Sequence, residues 1–132
     1  MKIIIETIPH SEQRYDTVGD WQWGTGEHPN DILDLTIKVS AMWYWRHTML
    51  IIVHELVEAF LCKGWGVDEK KVDEFDMNWE PHHGLTEPGE DRDAPYYLAH
   101  QIASGVERIV AANLDVIWAE YETAVGEAGK IE

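Results

Sequence analysis

His54, Glu55 and Glu58 are the residues in this chain whose types and spacing could do chemistry. They lie inside an otherwise apolar stretch that runs from Met42 to Lys63. On a helix, residues four apart share a face, so His54 and Glu58 project together, and Glu55 sits one step round. Two carboxylates and an imidazole set into a buried helix are costly unless something pairs with them, and a divalent cation does so directly. A metal site needs a further ligand from elsewhere. His100 is the first candidate, because two His and one carboxylate form a facial set with open positions for water. Asp76 comes next, with Asp73 beside it at i, i+3 on a second helix. His82 and His83 follow, adjacent in a Pro- and Gly-containing loop.

The spacing of His54-Glu55-Leu56-Val57-Glu58 resembles the His-Glu-x-x-His helix of zincin-type metallopeptidases, with Glu58 where that motif has its second His. The resemblance implies metal ligation by His54 and Glu58 and a catalytic role for Glu55 as general base. It also implies a zincin-like core, in which a small sheet precedes the helix that carries the site. It covers that helix and the segment before it. Zn²⁺ is the ion this pattern implies first. A Glu ligand hardens the site and brings Mn²⁺, Fe²⁺ and Mg²⁺ into competition.

The elements that must position these groups can be read from hydrophobic patterning. Lys2 to Ile8 is β-branched, stops at Pro9 and predicts a strand. Thr17 to Trp23 predicts a second, with Trp21 and Trp23 on one face. A turn-rich connection, Gly24 to Asn30, precedes a third strand over Ile32 to Ser40, where Leu33, Leu35, Ile37 and Val39 alternate with polar residues. A small antiparallel sheet follows from these three. Met42 to Lys63 is too long for a strand and apolar on nearly every side, which predicts a buried helix ended by Gly64 and Gly66. Val67 to Trp79 predicts a helix capped by Asp68, with Val72, Phe75 and Trp79 on its inner stripe. Glu80 to Ala94 is a long acidic loop. Asp93 is placed to cap a third helix with Pro95 in its first turn and Leu98, Ile102, Val106, Ile109 and Val110 on its apolar face. Asp115 is placed to cap a fourth, packed through Val116, Ile117 and Tyr121. The expected architecture is α+β in a single domain over 1–132, mainly β over 1–41 and mainly α over 42–125.

Composition narrows the function classes. The 132 residues carry 10 basic and 25 acidic side chains, a formal net charge of −15. Such a surface repels phosphate backbones and argues against direct nucleic-acid binding, while attracting cations or basic partners. The single Cys62, in an apolar stretch, excludes an internal disulfide and a Cys-based zinc knuckle, and reads as a core residue. The N-terminal apolar run is too short for a signal peptide and the run from Met49 to Val53 too short for a membrane span, so a cytoplasmic location is expected. Seven Trp and five Tyr provide aromatic area for a core or, at Met42-Trp43-Tyr44-Trp45, for an interface through which copies could associate. Glu87, Glu90, Asp91 and Asp93 lack the spacing of a calcium loop and read as a solvated acidic segment.

Four phrases together resemble a family of small uncharacterised phage and prophage proteins. They are Gln13 to Trp21, Val53 to Ala59, Val72 to Asp76 and Ala94 to His100. That resemblance implies no activity. Three functions fit the residues. The first is a metal-dependent hydrolase acting on a peptide or other amide, or an inactive metal-binding relative of one. The second is a Mg²⁺-dependent nucleotide pyrophosphohydrolase, whose carboxylate pattern resembles Glu55-x-x-Glu58 followed by Asp73-x-x-Asp76. The third is an acidic, non-enzymatic interaction protein of phage type, occupying a basic surface.

Overall fold

Three strands and four helices make up the chain in a computed structural model, described here for residues 1–24 and 34–128. The strands are β1 (Lys2–Ile8), β2 (Gly19–Trp23) and β3 (Asp34–Ser40). The helices are α1 (Trp45–Gly64), α2 (Glu69–Asn78), α3 (Tyr97–Asn113) and α4 (Trp118–Gly126). The α+β class is as expected. The predicted turn after Gly24 and the first residues of the predicted third strand, Ile32 and Leu33, lie outside the described residues.

The sheet is mixed rather than antiparallel. Its order is β1-β3-β2, with β3 in the centre. β2 runs antiparallel to β3, whereas β1 runs parallel to it. Alternation along a strand fixes which face is buried but not the direction of its neighbour, so the parallel pairing had no local signature. In the β2–β3 register Gly19 faces Val39, Trp21 faces Ile37 and Trp23 faces Leu35. Leu35, Ile37 and Val39 are fully buried, and this face packs against α1. β1, at the edge, leaves Ile3 and Ile5 exposed.

α1 is buried along a stripe, not all round. Ile51, His54, Glu55, Glu58, Ala59 and Cys62 follow helical spacing and face inward. Met49, Phe60 and the first-turn Trp45 remain exposed. The helix ends as predicted: Gly66 adopts a left-handed φ of 69°, which glycine takes without strain, and its N–H reaches the Lys63 carbonyl. Asp68 caps α2, its carboxylate accepting from the Lys70 N–H at 3.0 Å. Val72 is buried and Phe75 and Trp79 are half-buried beside it. Cys62 is a buried core thiol whose pKa burial pushes up to about 12.

Two caps differ from expectation. Asp93 does not cap α3. Its own N–H donates to the Asp91 carboxylate, Pro95 stays outside the helix, and Tyr96 holds the N-cap position. Asp115 does not cap α4. It takes a left-handed φ of 55° just after α3, a conformation Asp tolerates, and Ile117 precedes the helix.

The inner face of α3 also differs. Leu98 and Ile109, predicted to point inward, are 60% and 66% exposed, and Ile102 is exposed too. The buried face is Ala99, His100, Ala103, Glu107 and Ala111. Small side chains at the contact allow α3 to lie close along α1, and that closeness brings polar groups of the two helices within bonding distance. The larger aliphatics are left on the outer side. Trp43 and Trp45 are likewise not core, being 86% and 59% exposed. No described helix is long and apolar enough to cross a membrane.

Candidate metal centre

His54 and Glu58 project from the middle of α1, and His100 meets them from the first turn of α3. All three are buried. His54 Nε2 lies 3.1 Å from Glu58 Oε2 and 3.1 Å from His100 Nδ1, and His100 Nδ1 lies 3.0 Å from Glu58 Oε2. These atoms therefore form a nearly equilateral triangle. Among the described residues they are the group of metal-ligating side chains whose ligand atoms lie mutually within 4.8 Å.

Each member is held from behind. Glu107 Oε1 accepts from His54 Nδ1 at 2.8 Å, and Tyr121 donates its hydroxyl to the other oxygen of Glu107. Glu87 Oε1 accepts from His100 Nε2 at 3.0 Å. Trp21 Nε1 donates to Glu58 Oε1 at 2.9 Å. With the outer nitrogens of both imidazoles donating to carboxylates, the inner nitrogens of the neutral rings would carry lone pairs, and Glu58 Oε2 would add a third. Three electron pairs would then face one point. Metal-binding imidazoles are usually oriented in this way, by a carboxylate on the other ring nitrogen.

The dimensions fit a divalent ion. An ion about 2.0–2.1 Å from all three atoms would see neighbouring ligands at angles of about 95–100°, between the octahedral and tetrahedral values. It would sit to one side of the triangle, leaving the opposite positions for other ligands. Without an ion, protons must stand in. Burial opposes charge on His54, but hydrogen bonds to Glu107 and Glu58 outweigh it and hold the imidazole well above its usual pKa. Burial also opposes charge on His100, and hydrogen bonds to Glu58 and Glu87 raise it nonetheless, to about 9. Glu58, despite its burial, is drawn down to about 2 by hydrogen bonds to the two imidazoles.

Glu55 is buried beside this group and makes no hydrogen bond among the described residues. Burial, then the charge of Glu58, raises its pKa well above the ordinary carboxylate range. Gly19 of β2 packs directly on it, and a Cβ there would come within 2.5 Å of Glu55 Oε1. Gly89 plays the same part for His100, since any side chain at that position would overlap the imidazole ring. Alternation along β2 puts Gly19, Trp21 and Trp23 on the face toward α1. Gly19 reaches Glu55, Trp21 reaches Glu58, and Trp23 Nε1 reaches the Ala59 carbonyl at 3.3 Å.

The remaining candidates fall outside the triangle. Asp76 accepts from Tyr15 at 3.0 Å through one oxygen and from Tyr96 through the other, so both oxygens are already occupied. Burial raises its pKa to about 6 despite those bonds. Asp73 is tied to Arg14, whose guanidinium also grips the buried Asp20. His82 and His83 are exposed, and His82 bonds Asp91 at 2.9 Å. The loop carboxylates are not simply solvated: Asp91 also accepts from Trp79, and Glu87 supports His100. A cleft of about 530 Å³, lined by Phe75, Asn78, Trp79, Glu80, Pro81 and His82, opens at the end of α2, away from the triangle.

Sequence reasoning missed Glu107, Glu87, Trp21 and Tyr121 as supports of the centre. For Glu107 a signal existed. It lies seven residues after His100, on the same helical face, with Ala103 between them. Comparison of the chain with protein-family models, with curated proteins and with solved structures yields no match.

Proposed function

We propose that this protein is a metal-dependent hydrolase of zincin-like design, in which His54, Glu58 and His100 hold a divalent ion and Glu55 is the general base. The observation that carries the reading is the convergence of three lone pairs whose bearers are each fixed from behind by a separate partner, Glu107, Trp21 and Glu87. A network of ion pairs alone has no need to aim three acceptors at one point. A divalent ion at that point lowers the pKa of water and polarises a carbonyl. Zn²⁺ is the first ion to test, then Mn²⁺, Fe²⁺ and Mg²⁺.

Glu55 has the properties of a proton acceptor and donor in such a site. It is adjacent in sequence to a proposed ligand, has no hydrogen-bonded partner among the described residues, and its burial favours the protonated form. The order of elements, a small sheet followed by the ligand helix, is similar to that of zincin-type metallopeptidases and supports an amide as the bond attacked.

Three proteins test the reading: wild type, His54→Ala and Glu55→Gln. Elemental analysis and calorimetry with Zn²⁺ and Mn²⁺ are expected to give one ion per chain for wild type and Glu55→Gln, and none for His54→Ala. Hydrolysis of a peptide and amide panel is expected from wild type alone. Metal bound by all three proteins, or by none, sinks the assignment. Stoichiometric metal without hydrolysis by wild type would make the chain an inactive metal-binding relative.

A further inference from the structure

We infer that the group this centre accepts at its open positions is uncharged, on a neutral or cationic chain such as a basic peptide, and that phosphates and carboxylates are turned away. The inference rests on the metal-centre reading above and adds the class of substrate to it.

The charges around the triangle decide the matter. A divalent ion brings two positive charges. Glu58, Glu87 and Glu107 bring three negative ones, and the two imidazoles are neutral once they act as ligands. The loaded centre therefore carries a net negative charge even with Glu55 protonated. Against this, the first turn of α3, from which His100 projects, supplies only a partial positive charge. From β2 comes Asp20, already neutralised by Arg14, and from α2 comes Asp76, held by two tyrosine hydroxyls. None of the described ion pairs brings a Lys or Arg to the carboxylates of the centre; Arg14 is engaged with Asp20 and Asp73. Sites that bind phosphoryl or carboxylate groups place Arg, Lys or a helix N-terminus against the anion. Here the side chains that hold the three ligands are two carboxylates and the neutral Trp21 indole, with no Lys or Arg among them.

The surface beside Glu87 is mainly acidic too. Glu87 spans from His100 to solvent, its side chain 47% exposed while one oxygen holds the ring. Gly89 brings the backbone over the same imidazole, so Glu87 is the partner of His100 that reaches solvent. Exposed Glu80 and Asp93 and the half-buried Glu90 lie on the same loop and outnumber its one arginine, the exposed Arg92. An anion approaching along this loop is repelled, and a cationic chain is drawn toward it.

The test uses full-length protein loaded with Co²⁺, whose visible absorption reports what enters its coordination shell. Inorganic phosphate, acetate and imidazole are titrated into the loaded protein and, in parallel, into aqueous Co²⁺. The protein is expected to favour imidazole over both anions by at least tenfold more than the aqueous ion does. Glu87→Gln is expected to shrink that extra preference by about tenfold, because one negative charge near the ion has gone. An unchanged or reversed preference in the protein overturns the inference while leaving the metal centre standing. Failure of wild type to take up Co²⁺, Zn²⁺ or Mn²⁺ overturns both.

Discussion

Glu107→Gln separates a metal centre from a network of ion pairs. Glu107 accepts from His54 Nδ1 with one oxygen and from the Tyr121 hydroxyl with the other. The glutamine amide has the same shape. Its oxygen can still accept from His54, and its NH₂ can donate to Tyr121 once that hydroxyl turns to accept. Both contacts survive, and only the negative charge is lost. That charge raises the basicity of the inner nitrogen, and removing such a partner weakens metal binding by roughly 10–100-fold. At free metal a thousand times the wild-type dissociation constant, binding adds about 4.1 kcal/mol to wild-type stability. The variant at the same concentration retains about 2.7 or 1.4 kcal/mol. For a domain of this length 1 kcal/mol moves the melting temperature by roughly 3–5 °C, so the metal-induced gain in Tm shrinks by about 4–13 °C. Differential scanning calorimetry of both proteins, stripped and reloaded, measures it. Equal gains in the two proteins would refute the role of Glu107, and no gain in either would refute the centre itself.

Three further outcomes follow from the same geometry. Gly19→Ala places a methyl 2.5 Å from Glu55 Oε1 and is expected to cost about 1–3 kcal/mol in a urea titration, with metal stoichiometry unchanged. In the metal-free protein, the stability that comes from the raised pKa of His100 is complete below about pH 6.5 and is lost as pH rises through about 9. The loaded protein is expected to show the opposite trend, because metal and protons compete for the same nitrogens, and melting curves from pH 6 to 10 with and without Zn²⁺ read the sign. Asp76, held near 6 against an ordinary 3.8, contributes stability below pH 3.8 that disappears as pH rises through 6. Asp76→Asn is therefore expected to match wild type in acid and exceed it at pH 8 by up to about 3 kcal/mol in chemical denaturation.

What could be read from the sequence was whatever depends on neighbours within a turn or a pleat. His54 and Glu58 share a face because they are four apart, and Trp21 and Trp23 because they are two apart. Asp68 caps α2 because an Asp ahead of a helical stripe accepts from its first amides. What escaped depends on distant pairing. β1 lies parallel to β3, a choice made by how the chain passes the sheet. The inner face of α3 was assigned to its large aliphatics, yet the helix turns its alanines to α1 and leaves Leu98 and Ile109 outside. Hydrophobicity alone ranks Leu above Ala. At a close helix contact size matters more, and the polar pair on that face decides the rotation. Glu87 was invisible for another reason: its contact with His100 requires a loop backbone to pass over the ring, which Gly89 permits.

The alanine face of α3 and the two glycines have one consequence in common. A centre made of His54, Glu58 and His100, with Glu107 and Glu87 behind it, needs long polar side chains to meet in a space from which water is excluded. Bulky residues at positions 99, 103 and 111 would hold α1 and α3 apart. A side chain at position 19 would strike Glu55, and one at position 89 would strike His100. Small residues at these points bury little apolar surface, so they weaken the core on this side of α1. Neighbouring contacts compensate: Leu35, Ile37, Val39 and Leu50 are fully buried between sheet and helix, beside the Gly19 and Trp21 that meet the polar groups. α1 thus carries two kinds of contact, apolar ones to β3 that hold the fold and a polar set, His54, Glu55 and Glu58, that meets β2 and α3. A protein built for stability alone would replace this polar set with aliphatic side chains, since a packed apolar core is at least as stable as a buried ionic one. Retaining His54, Glu55, Glu58, Glu87, His100 and Glu107 there is intelligible if a cation belongs among them.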